Sequence, residues 1–422
     1  MTRIDQDAAP VAAATSRPPV AGVLGAFTLI VVVLTVIASI AARYATGKPR
    51  FPTLTGPAWL DAWYAFDSDW YFQIATNGYS YIPGAQSSVA FFPTYPMAVR
   101  GVGWLIGDYQ VAGQLLSVLA GATSVVLFTI WVWQRLPRRS AITAIGALML
   151  YPFAFFLYGP MYGDSLFLLV GIVAFLLLER RRYWLAGVVG ALATAGRPNG
   201  IAVAVGLVIG MLEVLALRRM ATAEAATTPT ASPLRHGGRQ WPTRPRFAEL
   251  IRSVPSIRWR EAGVFVSGLG LIGWCLYLWF EFADPLLFLE VQSTWSQGAG
   301  PTTWFKVKYF EILLAGGYRW GLLLTLQAVA VVIGLLLLGR VRRYFGWGYA
   351  AYALVVLAIP LIGTGDFLGT GRYVMVAFPV MAAGGHLLAS LRWPWVRWVF
   401  LAACAIGIMV STALYAVGDL IT

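Results

Sequence analysis

SVAFFPTYPMAVRGVGWLIG, residues 88–107, decides how this chain is threaded. Its length suits a membrane crossing, which takes roughly 20 apolar residues. Its content argues the other way. Pro93, Pro96 and Arg100 lie inside it, and proline interrupts a helix while a charge within the bilayer is costly. If this stretch crosses, every later loop changes side.

The remainder of the chain is unambiguous about its medium. Of 422 residues, 59% are hydrophobic and 12% charged, and mean hydropathy is +0.71; soluble domains carry roughly 25% charged residues. Apolar runs recur at 20–42, 111–134, 140–158, 165–179, 183–195, 199–217, 261–283, 320–339, 345–362, 373–390 and 395–417. An all-α polytopic membrane protein of about eleven transmembrane helices is expected.

Charge resolves the reading of 88–107. With that stretch lying along the interface and the N-terminus inside, the inner loops hold RLPRR (135–139), ERRR (179–182), 218–260, RVRR (340–343) and RWPWVR (392–397). About 22 of the 31 Lys and Arg then fall inside, against about 7 of the 18 Asp and Glu. A crossing at 88–107 would turn the later basic loops outward, against the positive-inside tendency. The expectation is a multi-pass protein of the plasma (cytoplasmic) membrane, N-terminus inside and C-terminus outside. Residues 1–19 form a cytoplasmic tail and 20–422 a single transmembrane domain. Within that domain, 43–110 is the first outer loop, with interfacial amphipathic helices, and 218–260 a basic, flexible cytoplasmic loop.

The formal charge of +13 then reads as orientation, and no nucleic-acid partner is expected. Eighteen Trp and 19 Tyr suit long membrane–water boundaries. Cys275 and Cys404 sit in apolar runs and suggest no disulfide framework. His236 and His386 stand alone, so no His-rich metal site is visible. The 218–260 loop is rich in Ala, Thr, Pro and Arg, as solvated linkers are; contact with anionic lipid is its other reading.

In this topology the polar, irregular stretches share the outer face: 61–79, AFFPTYP (90–96), YGPMYGDSLF (158–167), GRPNG (196–200) and GTGDFLGTGRY (363–373). Ionisable residues at such helix ends mark a functional site by default. Read as a helix, Trp59, Trp63, Phe66, Trp70 and Ile74 form one stripe facing lipid. On it Asp67 and Asp69 point about 200° apart and share neither a proton nor a metal; read as extended, they point the same way. Asp164 is a candidate helix cap. Arg197 fits either snorkelling or anion binding. Arg372 opens a helix, where a cation opposes the macrodipole, which favours anion binding. Lys306, Lys308 and Arg319 read as the basic face of an interfacial helix.

FDSDWYFQIATNGY, AFFPTYP, YGDSLF and RPNG, in that order over about residues 60–200, resemble the mannosyltransferase family of phosphatidylinositol-glycan class V. That family has bacterial members, common in actinobacteria, and belongs to the GT-C superfamily of polytopic glycosyltransferases. In the C-terminal half only hydropathy and GRYVMVAFP match. The resemblance implies a GT-C-like fold and transfer of a sugar from a polyprenyl-phosphate donor by an acid in the first outer loop. It places the family's catalytic Asp at Asp67, with Phe66 where the family has Trp and Ser68 where it has Gly. Asp164 stands where the family often has Glu, and Arg197 and Asn199 match its Arg-x-Asn pattern.

The implied activity is that of an inverting, mannosyl-transferring hexosyltransferase on the extracytoplasmic face. Its partners are a polyprenyl-phosphate sugar donor, a lipid or glycan acceptor and membrane lipids. Asp67 is the expected catalytic base. Asp69, Tyr71, Asp164 and Asn199 are expected to support it or bind acceptor, and Arg197 and Arg372 to bind the donor phosphate. The phosphate is already a good leaving group, so no cofactor is expected and a divalent metal is optional. The competing reading is a lipid or lipid-linked-sugar transporter (flippase) without transferase activity.

Overall fold

The computed structural model describes residues 17–44, 54, 56–227, 244–295, 297–298 and 300–419. Among them everything regular is helical, apart from one isolated antiparallel bridge between Gln297 and Thr364. The principal helices are α1 (Val20–Arg43), α2 (Ser68–Asn77), α3 (Thr94–Ile106), α4 (Tyr109–Trp133), α5 (Arg138–Leu150), α6 (Asp164–Glu179) and α7 (Tyr183–Thr194). They are followed by α8 (Ile201–Thr227), α9 (Leu269–Phe282), α10 (Tyr318–Leu336), α11 (Trp347–Gly363), α12 (Thr370–Val376), α13 (Phe378–Ser390) and α14 (Pro394–Ala416).

Six helices among the described residues are long and apolar enough to cross a membrane: Val20–Arg43, Tyr109–Trp133, Pro198–Ala223, Trp259–Phe282, Tyr318–Leu336 and Pro394–Ala416. The pair α12 and α13, bent by 80°, makes a seventh if it counts as one span. The other expected spans form α5, α6, α7 and α11, of 13, 16, 12 and 17 residues. At 1.5 Å per residue these reach roughly 18–26 Å, short of a hydrocarbon core of about 30 Å. Helix length therefore accounts for fewer than eleven crossings. The run 140–158 is cut because Pro152 opens a separate 3-10 turn, Pro152–Leu157.

The short helices are held by close backbone packing. A Cβ on Gly348 of α11 would lie 2.6 Å from the Gly210 Cα and 2.8 Å from the Gly206 carbonyl oxygen of α8. Gly206 and Gly210, one turn apart, thus let the two backbones touch, as small residues do in membrane bundles. Around this seam Phe175, Tyr349, Tyr352 and Phe378 pack ring to ring. At one end of the bundle, Glu179 closes α6; it accepts from the Tyr349 hydroxyl (2.7 Å) and pairs with Arg135 (2.5 Å) beyond α4. Asp164 opens the same helix at the opposite end.

Two expectations change. Residues 59–74 are not one helix: a 3-10 turn, Ala58–Trp63, ends before α2 begins at Ser68. The supposed lipid-facing stripe is divided accordingly, with Trp59 58% exposed while Trp63 and Ile74 are buried. Residues 218–260 are not all linker. α8 runs on to Thr227, and Arg244 bonds both Glu213 (3.2 Å) and the Tyr344 carbonyl (2.9 Å); residues 228–243 lie outside the described residues, as do 1–16 of the tail. The stretch 88–107 forms a 3-10 turn, Ser88–Ala90, and α3, whose 13 residues are too few to cross. Arg100 on α3 donates from Nε to the Ala75 carbonyl (2.7 Å), capping α2.

Candidate active site

Asp67 owes its place to a strained bend. Phe66, just before it, has φ of 54°, a left-handed backbone uncommon for a side chain of that size and often found at functional sites. The Tyr415 hydroxyl, from the end of α14, donates toward Trp63 O (3.2 Å) and Ala65 O (3.1 Å) and lies 3.3 Å from the Ser68 hydroxyl. The Asp67 N–H donates to the Tyr162 hydroxyl at 3.0 Å. Hydrogen bonds from residues about 95 and 350 positions away therefore override the helical periodicity of 59–74.

Four segments meet here. Asp164, fully buried at the start of α6, takes a bidentate pair from Arg197: Nη1 to Oδ1 at 2.7 Å and Nη2 to Oδ2 at 3.1 Å. Arg197 is presented from extended backbone between α7 and the Pro198–Gly200 turn. Arg372, on α12, reaches the same place; its Nη1 is 3.8 Å from Asp67 Oδ2 and 4.0 Å from Asp164 Oδ2. Those are ion-pair distances, too long for hydrogen bonds. The Tyr373 ring lies under both guanidiniums, each 5.5 Å from its centroid.

The two acids are in different states. Asp164 has both oxygens satisfied. The Asp67 carboxylate accepts no hydrogen bond among the described residues and is 29% exposed. Burial pushes its proton affinity above the ordinary carboxylate range; Arg372 opposes that, Asp164 adds to it and Arg197 opposes it. Arg372 Nε and Nη1 are buried without a partner, as is the Asn199 amide nitrogen. Buried donors in folded proteins are nearly always paired, so the two on Arg372 are available to an acceptor-rich ligand.

The expected site residues separate into three groups. Asp67, Asp164, Arg197 and Arg372 come together, with Asn199 adjoining Arg197 in sequence. Tyr71 is buried, edge-on to Tyr162, Tyr95 and Phe91, and its hydroxyl makes no hydrogen bond among the described residues. Burial raises its pKa above that of an ordinary tyrosine, so it stays a donor. Asp69 points elsewhere, accepting from the Tyr64 hydroxyl (2.9 Å) and from Gln73 (2.6 Å). Tyr162 and Tyr373 are the residues sequence reasoning passed over. Both lie inside stretches already singled out, but an uncharged ring carries no signal of its own. Lys306 was misjudged as interfacial: it is only 7% exposed.

No family model matches the chain, and no curated protein matches it. Among solved structures it is similar to ArnT from Cupriavidus metallidurans bound to undecaprenyl phosphate, at 14% identity and TM-score 0.46, over 94% of this chain and 75% of that one. The apo state of the same protein aligns at 15% identity and TM-score 0.39, with the same coverage.

Proposed function

We propose that the chain is a GT-C-type membrane glycosyltransferase. It transfers a sugar, mannose on the motif resemblance, from a polyprenyl-phosphate donor to a lipid or glycan acceptor at the extracytoplasmic face. The observation that carries this reading is the pairing of an open carboxylate, Asp67, with a buried guanidinium, Arg372, that makes no hydrogen bond among the described residues. A base and an anion site lie within one sugar's reach of each other.

The steps follow from that placement. The acceptor hydroxyl oxygen attacks the anomeric carbon, and its proton passes to Asp67. The bond from the anomeric carbon to the phosphate oxygen breaks, and its electron pair leaves with the polyprenyl phosphate. Arg372 stabilises the charge that grows on that phosphate. Arg197 is largely committed to Asp164, so its part is to fix the second carboxylate and to add positive potential. Attack opposite the leaving group inverts configuration, so a β-linked mannosyl phosphate gives an α-mannoside. Asp164 orients Arg372 from behind, and Tyr71 offers a permanent donor to acceptor or sugar hydroxyls.

Membranes containing the chain, given radiolabelled polyprenyl-phosphate mannose, are expected to yield a labelled glycoside identifiable by mass. Movement of labelled lipid across the membrane with no glycoside would overturn the reading in favour of transport.

A further inference from the structure

The residue outside the site that most needs an explanation is Lys306. It sits between two short helices, Pro301–Trp304 and Val307–Leu314, with φ of 54°, and its side chain points inward. Its ammonium lies 2.5 Å from Leu361 O, 2.6 Å from Thr364 O, 3.3 Å from Thr364 Oγ1 and 3.2 Å from Asp366 O. Those oxygens belong to the last turn of α11 and the loop after it. The final carbonyls of a helix have no intrahelical donor, and a cation there is favoured by the macrodipole. The other end of α11 is held by the opposite charge: Glu213 Oε2 accepts from the Trp347 N–H at 2.8 Å.

We propose that Lys306 is a positioning residue, a tethered cation that holds the 361–369 loop and thereby sets where Arg372 stands. The strap that carries it fastens the loop twice more. The Gly298 N–H donates to Gly363 O (2.9 Å), and Lys308 lies 3.8 Å from Asp366 Oδ2. The loop then turns on itself, through Leu368 N–H to Asp366 Oδ1 (2.9 Å) and Thr370 N–H to Phe367 O (3.1 Å), and arrives at Arg372. Gly371 is gripped separately, its N–H by Gln327 (3.1 Å) and its carbonyl by Tyr151 (2.9 Å). Lys306 is thus the outer of two anchors on the segment that carries Arg372. Removing an ammonium from water is costly unless its protons are satisfied. Burial draws the Lys306 pKa down to about 8, with Asp366 opposing, so the ammonium is mostly charged at neutral pH. The strap's other end carries Trp295, edge-on to Trp70 and Phe91 at 5.8 and 5.9 Å, one ring from Tyr71. One strap therefore touches both the aromatic wall beside Asp67 and the approach to Arg372.

The consequence for an anionic ligand rests on the proposed role of Arg372; the anchoring itself does not. Lys306→Met keeps the stem and removes the ammonium. In the full chain in nanodiscs, hydrogen exchange over 361–370 is expected to speed up by about ten-fold or more, with the Glu213 end of α11 unchanged. Farnesyl phosphate binding, measured without turnover, is expected to weaken by about ten-fold. Unchanged exchange over 361–370, or equal acceleration throughout the chain, overturns the proposal. If exchange responds while wild type binds no farnesyl phosphate, the anchor stands and the donor reading of the site falls. Should Lys306→Met not accumulate, Lys306→Gln, which keeps donors without charge, makes the same comparison with a smaller change.

Discussion

The two ends of the helical bundle treat buried charge in opposite ways. At the arginine-rich end the acids are closed. Glu213 accepts from Arg244 on one oxygen and from the Trp347 N–H on the other. Glu179, though a third exposed, likewise divides its oxygens between Tyr349 and Arg135. At the site end one acid is closed, Asp164 by Arg197, but Asp67 takes no hydrogen bond and Arg372 makes none among the described residues. Closed pairs hold helices together, since a buried charge must be matched to be tolerated at all. An open pair contributes little to folding and is available to a ligand. The difference separates structural from chemical charge in a chain where both are rare.

The largest expected effect follows from that contrast. Asp67→Asn removes a carboxylate that accepts no hydrogen bond among the described residues, so folding and melting temperature should change little while transfer falls by about 10²–10⁴-fold, the usual worth of a positioned base. Glu213→Leu should do the reverse. It leaves Arg244 and the first N–H groups of α11 without their acceptor, at a cost of about 3 kcal/mol, while the protein that remains folded keeps its donor KM. A melting temperature lowered by Asp67→Asn and untouched by Glu213→Leu would erase the distinction between the ends.

Arg372→Gln comes next. Loss of one charge-assisted donor to phosphate should raise the donor KM by about ten- to a hundred-fold. It should also move the pH profile. Asp67 must be ionised to act, and its proton affinity is already raised by burial, so activity rises with pH through a value above the ordinary carboxylate range. Arg372 works against that burial; without it the acid limb should move to still higher pH. An acid limb unchanged in Arg372→Gln would detach Arg372 from Asp67.

Much of this was legible in the chain, and what was not has physical causes. Hydropathy marks where helices lie, because apolar runs have no other way to bury their backbone in lipid. It does not mark where proline cuts them, as at Pro152, nor how glycines such as Gly206 and Gly210 let short helices pack. Charges at helix ends pointed to Asp67, Asp164, Arg197 and Arg372, since ionisable groups are conspicuous against an apolar background. The bend that aims Asp67 was invisible, because Tyr415 and Tyr162, which make it, are far away in sequence. Lys306 was misread for the same reason: its partners are backbone carbonyls, which every residue has.

The smallest expected effect concerns Asp69, two residues from Asp67 and its opposite in state. Its oxygens are taken by the buried Tyr64 and by Gln73, and single hydrogen bonds are worth about 1 kcal/mol net. Asparagine keeps one acceptor oxygen for Tyr64, so Asp69→Asn should change kcat/KM by no more than about three-fold and stability by under about 1 kcal/mol. The comparison with Asp67→Asn is strict, since both substitutions remove one negative charge from the same ten-residue neighbourhood. A general loss of local negative charge would affect the two alike, whereas a base acts through its own unshared oxygens. A loss of transfer in Asp69→Asn as large as in Asp67→Asn would mean that position on the helix, not an open carboxylate, sets the chemistry, and the base would have to be reassigned.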